Sequence, residues 1–308
     1  MGAIRAGLVG VGPVGDRIFA CVKERGFNLA EPLRVMATHE RTEQLGGEQV
    51  LVREISEELF AGLDVVFFAG REGAKGASVQ WGQVAIDAGA YVVDNGGDFR
   101  LDADKPLVVP EVNMDAVTEQ TKFICSPNCS TIQMCVALAP LHRAAGIKRI
   151  VVSTYQAASG WGARGQEELN SQVKQLACGC VSEWDPCVFC RPLALDCIPH
   201  IDAFMDNFYT KEELKMTYET QKIFGDAAIA VTAALEDRGP QTTLTGAVLD
   251  LLGIPITDDR NPDGRPMPLR HFIDAIYAMR PIELARFAPL VIANRDDAVA
   301  AALLAQSE

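Results

Sequence analysis

The feature that most constrains this chain is a glycine turn close to its start. Gly10, Gly12 and Gly15 follow an apolar run at Ile4–Val9 and precede a helical pattern that continues to about Arg25. Glycines at this spacing permit a tight turn from strand to helix and let the backbone approach a pyrophosphate, whose charge then lies at the helix N-terminus. A tight turn that binds nothing is the alternative. We predict a dinucleotide site formed by Gly10, Gly12, Pro13, Val14 and Gly15.

Strand-like and helix-like patterns alternate through the first part of the chain. Four further apolar runs have the length and composition of buried strands: Leu33–Ala37, Leu63–Ala69, Tyr91–Asp94 and Phe123–Cys125. Near-continuous apolar strands are typical of a parallel sheet that is covered by helices on both faces. The pattern therefore predicts an α/β fold with a doubly wound, Rossmann-like parallel sheet.

The length of 308 residues suggests two domains, since compact domains have roughly 100–200 residues each. We predict a dinucleotide-binding domain at residues 1–128, with a terminal helix at 290–308 packing back onto it, and a second, α+β domain at 129–289. A formal net charge of −13 argues against a surface for nucleic acid or for anionic membranes. No apolar run reaches the roughly 18 residues of a membrane span. The first residues do not resemble an export signal, so we expect a cytoplasmic protein.

The residues after the second strand bear on which dinucleotide binds. An acidic residue there holds a ribose 2′-hydroxyl, whereas arginine accepts a 2′-phosphate. Thr38 and Arg41 favour NADP, while Glu40 favours NAD, and a solvated loop of mixed charge is the structural alternative. We predict NADP, with Thr38 and Arg41 as cofactor contacts.

A cysteine in a second segment has the setting of a nucleophile. Cys129 follows a strand and a Pro127-Asn128 turn, and it stands at the start of a helical pattern that continues to about Ala145. Unpaired N–H groups and the helix dipole stabilise a thiolate at such a position, and a thiolate can attack a carbonyl carbon. Cys125 and Cys135 have no such setting. A structural cysteine is the alternative for Cys129.

Around Cys129 the sequence resembles the active-site segment of aspartate-β-semialdehyde dehydrogenases, at Ser126–Thr131. Further segments resemble the same family in the same order: Val93–Arg100, Val109–Asn113, Ser153–Gly160, Ile198–Asp202 and Tyr209–Lys215. The resemblance covers about three quarters of the chain, from Met1 to Thr232. It implies a Rossmann-like cofactor domain followed by a catalytic and dimerisation domain, which we expect to be truncated relative to the family.

This resemblance also implies a reaction and the residues that perform it. In that family a cysteine attacks an aldehyde, hydride passes to NADP, and phosphate releases the acyl group as an acyl phosphate; the reverse direction reduces aspartyl phosphate. The matching residues are Cys129 as nucleophile and Gln156 as the amide that orients the substrate. Arg100 and Lys215 match residues that hold the phosphate, and Asn128 belongs to the same substrate- and phosphate-binding set. Glu212 matches a residue that receives the substrate ammonium, and Gly160 matches a cofactor contact. A small acyl phosphate or aldehyde substrate and a homodimer are implied as well. An ion pair for Arg100 and an ordinary i,i+3 helix pair for Glu212 and Lys215 are the structural alternatives.

Beyond residue 232 the sequence departs from the family pattern. The family continues with Arg-Val-Pro-Val and then Gly-His, which supply a carboxylate-binding arginine and an acid–base histidine, and neither motif follows Thr232 here. His271 is the one histidine beyond position 200, so we predict that it is catalytic if acid–base help is retained. Three explanations stay open: His271 and Arg270 replace the missing pair, the substrate is another acyl compound, or the protein is a cofactor-binding pseudoenzyme.

A cluster of cysteines is the other departure from the family. Cys178, Cys180, Cys187 and Cys190 form two closely spaced pairs, and Cys-x-x-Cys is a frequent zinc half-site. These four residues are candidate zinc ligands. Buried small apolar side chains or a redox pair are the alternatives.

Overall fold

The protein is described here by a computed structural model, which covers residues 2–70, 73–178, 187–194 and 196–238. Among these residues the chain forms two compact units. The first takes in the described residues up to 150, within 157–192 and at 214–231, and the second takes in those at 151–156, within 193–213 and at 232–238. The boundary predicted between residues 128 and 129 stays a prediction, and the helix predicted at 290–308 lies outside the described residues.

A seven-stranded sheet forms the centre of the first unit. Its strands are β1 (Ala6–Val9), β2 (Arg34–Ala37), β3 (Arg41–Leu45), β4 (Glu48–Glu54), β5 (Val65–Phe68), β6 (Tyr91–Asp94) and β7 (Phe123–Cys125). They lie in the order β3-β4-β2-β1-β5-β6-β7, and every pairing is parallel except that of β3 with β4. The reversal of strand order on either side of β1 is the mark of a doubly wound sheet.

The central strands of this sheet are covered on both faces, which explains why their sequences are nearly continuous apolar runs. Leu8 packs in one apolar cluster with Phe19 and Val35, whereas its neighbour Val9 belongs to a second cluster that includes Phe68. Because successive side chains of a strand point to opposite faces, the two clusters lie on opposite sides of the sheet. The α/β fold with a doubly wound parallel sheet is confirmed.

Helices connect the strands of the first unit. They are α1 (Pro13–Glu24), α2 (Ala77–Asp87) and the short α3 (Pro110–Asn113), and α4 (Cys129–Ala145) follows the last strand, β7. The chain continues with α5 (Gly162–Cys178) and α6 (Lys211–Phe224). Among the described residues, no helix is long and apolar enough to cross a membrane.

The hairpin of β3 and β4 has no counterpart among the predicted elements, since no strand is predicted between Leu33–Ala37 and Leu63–Ala69. Its turn consists of Gly46 and Gly47, whose φ angles are +54° and +82°. Positive φ at both central residues defines a type I′ turn, the turn that matches strand twist and that a Gly-Gly pair favours. That pair, between Arg41–Leu45 and Glu48–Glu54, was the signal available in the sequence.

A three-stranded sheet includes residues of the second unit. Its strands are β8 (Arg149–Ala157), β9 (Cys197–Ile198) and β10 (Ala230–Arg238), in the order β8-β10-β9, and β9 runs antiparallel to β10. At the start of α6, Thr210 Oγ1 accepts a hydrogen bond from the Glu213 N–H at 3.2 Å, and the Glu213 carboxylate accepts one from the Thr210 N–H at 2.7 Å. This reciprocal pair is the capping box that the Thr-x-x-Glu spacing predicts.

Candidate active site

The glycine turn joins β1 to α1 at the carboxyl end of the sheet, where doubly wound folds bind their ligands. Gly10 has φ +104°, and a Cβ there would lie 2.7 Å from the main chain of Ala69. A Cβ on Gly15 would lie 2.0 Å from the Gly10 carbonyl oxygen. Gly12 is different, because a Cβ there would meet no atom within 4 Å. Gly10 and Gly15 are therefore needed by the fold itself, whereas the space over Gly12 is open.

A cavity of about 830 Å³ lies beside this turn. Gly10 and Gly12 line it together with Thr38 and Arg41, so these four predicted cofactor residues share one site. Pro13 is the first residue of α1, and Val14, the next residue, is 45% exposed. Gly160 lies on the exposed turn Ala158–Trp161 and is not among the residues that line the cavity.

Three further residues that no sequence pattern indicated also line the cavity. Lys75, Gln80 and Trp81 contribute to its wall from the loop before α2 and from the first turns of that helix. Arg41, the first residue of β3, also lines the cavity. Its Nε donates to Glu43 at 2.8 Å, and its guanidinium also donates to the His39 carbonyl at 3.1 Å. Lysine and arginine at one cavity suit an anionic ligand. The cavity and the glycine turn thus fit a dinucleotide.

Cys129 is the first residue of α4 and is exposed. The preceding residue, Asn128, is the N-cap: its side-chain oxygen accepts from the N–H groups of Ser130 at 2.9 Å and Thr131 at 3.4 Å. Asn128 therefore holds the first turn of the helix in place. Cys129 is thus an exposed thiol at a helix N-terminus, the setting that the sequence predicts.

Two other cysteines near Cys129 in the sequence are poor nucleophiles. Cys125 is buried at the end of β7, and Cys135 is buried on α4. Burial raises the pKa of the Cys125 thiol to about 12 and that of Cys135 to about 11. Both are therefore protonated at neutral pH, because removing a thiol from water disfavours its charged form.

Arg100, which follows β6, is 6% exposed and pairs with Glu219 of α6. One terminal nitrogen donates to Glu219 Oε1 at 3.0 Å and the other donates to the Asn95 carbonyl at 2.8 Å. Among the described residues, the Arg100 Nε–H has no hydrogen-bond partner although it is buried. The ion pair is an interior one, and the Nε–H is a donor for a further acceptor.

The remaining predicted residues lie on separate elements. Gln156 is half-buried on β8, where its Nε2 donates to Thr154 Oγ1 at 3.4 Å. Glu212 is buried and Lys215 half-buried, both in the first turns of α6. His271 lies outside the described residues, so its predicted role is not tested.

The predicted zinc site is also untested. Within the described ranges, no group of three or more histidine, cysteine or acidic side chains is arranged to hold a metal ion. Cys178, Cys187 and Cys190 are exposed. Cys180, the fourth candidate ligand, is not among the described residues.

Comparison with known proteins gives a consistent result over most of the chain. Residues 5–120 match the family model "Semialdehyde dehydrogenase, NAD binding domain", and residues 138–236 match "Semialdehyde dehydrogenase, dimerisation domain". Aspartate-semialdehyde dehydrogenase 2 of Vibrio cholerae is 44% identical over 226 residues, which are 71% of this chain and 65% of that protein. The enzyme of Aquifex aeolicus is 41% identical over 239 residues, 74% of this chain and 68% of that one.

Solved structures agree with the sequence relatives. The crystal structure of aspartate semialdehyde dehydrogenase II from Vibrio cholerae has a TM-score of 0.71 and 40% identity, covering 77% of this chain and 70% of that chain. The same protein complexed with ASA has a TM-score of 0.71 and 39% identity. The chain belongs to the aspartate-semialdehyde dehydrogenase family. The resemblance seen in the motifs around Cys129 is thereby confirmed.

This member of the aspartate-semialdehyde dehydrogenase family matches its relatives over part of their length. The matched stretch spans 65% of the Vibrio cholerae relative. The match of residues 5–120 to the NAD-binding model contains the glycine turn and Arg100, and the second match contains Gln156, Glu212 and Lys215. Cys129 lies between the two matched ranges.

Lys222 of α6 is a further residue that sequence reasoning did not identify. Its ammonium donates to three main-chain carbonyls in the loop after β6, those of Arg100 at 2.8 Å, Asp102 at 2.5 Å and Lys105 at 2.7 Å. Burial lowers the pKa of this amine, and the nearby Cys125 and Asp102 oppose that effect. Lys222 therefore fixes the main chain that carries Arg100, a role that no local sequence pattern signals.

Replacing Lys222 with methionine is expected to lower the free energy of unfolding by about 2–3 kcal/mol, because three carbonyls lose a charged donor. Urea titration followed by circular dichroism measures the change. Lys211→Met is the matched control on the same helix, since Lys211 is exposed, and its effect should stay within about 0.5 kcal/mol. Equal stability of the two variants would contradict the role of Lys222.

Proposed function

We propose that this protein is an NADP-dependent, phosphorylating aldehyde dehydrogenase that interconverts an acyl phosphate of the aspartyl phosphate type with its aldehyde through a thioester on Cys129. The observation that carries the proposal is the exposed Cys129 at the N-terminus of α4, in a chain of the aspartate-semialdehyde dehydrogenase family. The Vibrio cholerae relative that has been solved complexed with ASA supports a small aldehyde as substrate.

Cys129 performs the covalent chemistry in this proposal. Its thiolate adds to the aldehyde carbon, loss of hydride from that carbon leaves a thioester, and attack by inorganic phosphate breaks the carbon–sulfur bond and restores the thiolate. NADP, when bound, supplies the hydride acceptor in this direction and the hydride donor in the other. The N-terminal dipole of α4 favours the anionic sulfur at the beginning and end of the cycle.

The other site residues have binding and orienting roles. Gln156 orients the substrate or thioester carbonyl without adding charge. Arg100 and Lys215 hold the phosphate, and the Arg100 Nε–H is a donor that has no partner among the described residues. Glu212 receives the substrate ammonium, and Asn128 contacts the substrate from the N-cap. His271 is the proposed acid–base residue.

The cofactor site is the cavity beside the glycine turn. The main chain of the glycine turn and the N-terminus of α1 suit the pyrophosphate, and the open space over Gly12 leaves room for the pyrophosphate to approach closely. Thr38 and Arg41 line the same cavity, and we assign them to the 2′-phosphate. Gly160 is proposed as a contact from the turn after β8.

Replacing Arg41 with alanine is expected to raise the KM for NADP about tenfold or more and to leave the KM for NAD unchanged, because only NADP carries the 2′-phosphate. Steady-state kinetics with both cofactors measures the two constants. Arg17→Ala is the matched control, since Arg17 is another exposed arginine paired with a glutamate and lies outside the cavity lining. If both KM values rise equally, Arg41 does not select the cofactor.

The direct test of the function is the formation of NADPH from aspartate semialdehyde, NADP and inorganic phosphate. Omission of phosphate should stop turnover after one equivalent of NADPH per site, because the thioester then has no acceptor. The purified protein should also form a homodimer, as the match to a dimerisation domain supports. Binding of NADP without any turnover would favour a pseudoenzyme instead.

One observation favours an alternative function, in which the substrate is a different acyl compound. The motifs that bind the α-carboxylate and supply the acid–base histidine in this family do not follow Thr232. A substrate without an amino-acid head would not need that arginine. Comparing kcat/KM for aspartate semialdehyde with that for simple aliphatic aldehydes distinguishes the two functions.

A further inference from the structure

Glu219, in the third turn of α6, is a carboxylate that is 1% exposed. Its two oxygens have different partners. Oε1 accepts from the Arg100 guanidinium at 3.0 Å, and Oε2 accepts from the main-chain N–H of Asn128 at 2.7 Å. A buried carboxylate persists only where such partners replace water.

Both partners belong to the proposed site. Arg100 is the proposed phosphate ligand, and Asn128 is the residue immediately before Cys129. Asn128 also caps α4 with its side chain, so its main-chain N–H and its side chain fix the same turn. One carboxylate therefore connects the anion-binding arginine to the main chain that carries the nucleophile.

Burial disfavours the charged form of the Glu219 carboxylate, and its two partners reduce that penalty. Burial raises the pKa of Glu219, while Arg100 and the Asn128 N–H oppose the rise. Lys222, one turn further along α6, holds the main chain at Arg100. Helix α6 thus contacts Arg100 at both its side chain and its carbonyl.

We propose that Glu219 is a positioning residue, which sets the start of α4, and with it Cys129, relative to Arg100. The inference rests on the proposed function, because it concerns the geometry between phosphate ligand and nucleophile in that reaction. Displacement of reacting groups by about 1 Å can reduce a rate by about 10²-fold. Glu219 need not touch substrate to have such an effect.

Glu219→Gln is the decisive variant because it keeps the size of the side chain. An amide has one acceptor oxygen, whereas the carboxylate uses two. The charged guanidinium of Arg100 should take that oxygen, which leaves an NH₂ group against the Asn128 N–H. Ile223→Ala is the matched control: Ile223 is 3% exposed on the same helix, and its loss lowers stability without changing any polar contact.

Two measurements, both made well below the unfolding temperature, test the proposal. We expect amide hydrogen exchange at Asn128 to be at least about tenfold faster in Glu219→Gln than in Ile223→Ala. We also expect kcat to fall at least about tenfold in Glu219→Gln, with the KM for NADP unchanged, and to change less than about twofold in Ile223→Ala. Equal exchange in the two variants, or faster exchange with an unchanged kcat, would overturn the positioning role.

Assay of the protein without any substitution tests the proposed function separately. If that protein does not turn over aspartate semialdehyde, the rate at which iodoacetamide alkylates Cys129 replaces kcat as the second measurement. An altered alkylation rate in Glu219→Gln but not in Ile223→Ala, together with faster exchange at Asn128, upholds the positioning of Cys129. An unaltered rate overturns it.

Discussion

Replacing Cys129 with alanine is expected to lower kcat by more than about 10⁴-fold, because the variant has no group that can form the thioester. The affinity for NADP should stay within about twofold, since the cofactor cavity is formed by other residues. NADPH formation measures the first quantity and fluorescence titration with NADPH measures the second. Together they separate loss of chemistry from loss of cofactor binding.

Cys135→Ala is the matched control for this substitution. Cys135 lies on the same helix but is buried, and burial raises its thiol pKa to about 11, so it is protonated at neutral pH. Its loss should lower stability while kcat changes little. Full activity of Cys129→Ala would contradict the assignment of the nucleophile, and loss of activity in both variants would indicate a structural effect at α4.

The central strands of the sheet could be predicted from sequence because they are covered on both faces. Leu8 and Val9 face opposite apolar clusters, so the strand Ala6–Val9 had to be apolar throughout, and the same holds at Val35 and Met36. Exposed strands carry a weaker signal. In β3 and β4 most side chains are exposed or half-buried, so their hairpin was distinguishable only by its Gly46-Gly47 turn.

The candidate site was predictable where its residues act through local structure. Asn128 caps the helix that begins at Cys129, and both features arise from neighbouring residues. Glu219 and Arg100 are 119 positions apart, and the carboxylate is defined by the contacts it makes rather than by any pattern around it. Long-range polar pairs of this kind emerge only when the fold brings two elements together. His271 and Cys180, predicted from the sequence, are outside the described residues and stay predictions.

Two glycines of the turn are expected to respond in opposite ways to the same substitution. Gly15→Ala should lower the free energy of unfolding by at least about 2 kcal/mol, because the added Cβ would lie 2.0 Å from a carbonyl oxygen and the main chain must move. Gly12→Ala should change it by less than about 1 kcal/mol, because Gly12 has φ −69°, which alanine adopts, and open space around its Cβ position.

For NADP affinity, we expect the large effect in Gly12→Ala, the variant whose stability changes least. In Gly12→Ala the methyl group occupies the space through which a pyrophosphate approaches the start of α1, so we expect Kd to rise about 100-fold in a protein of unchanged stability. Urea titration and fluorescence titration with NADPH measure the two effects on each variant. A structural turn that binds nothing requires Gly15 but has no use for glycine at position 12. Unchanged NADP affinity in Gly12→Ala would therefore favour the structural turn, whereas the loss of affinity without loss of stability identifies Gly12 as a residue kept for the cofactor.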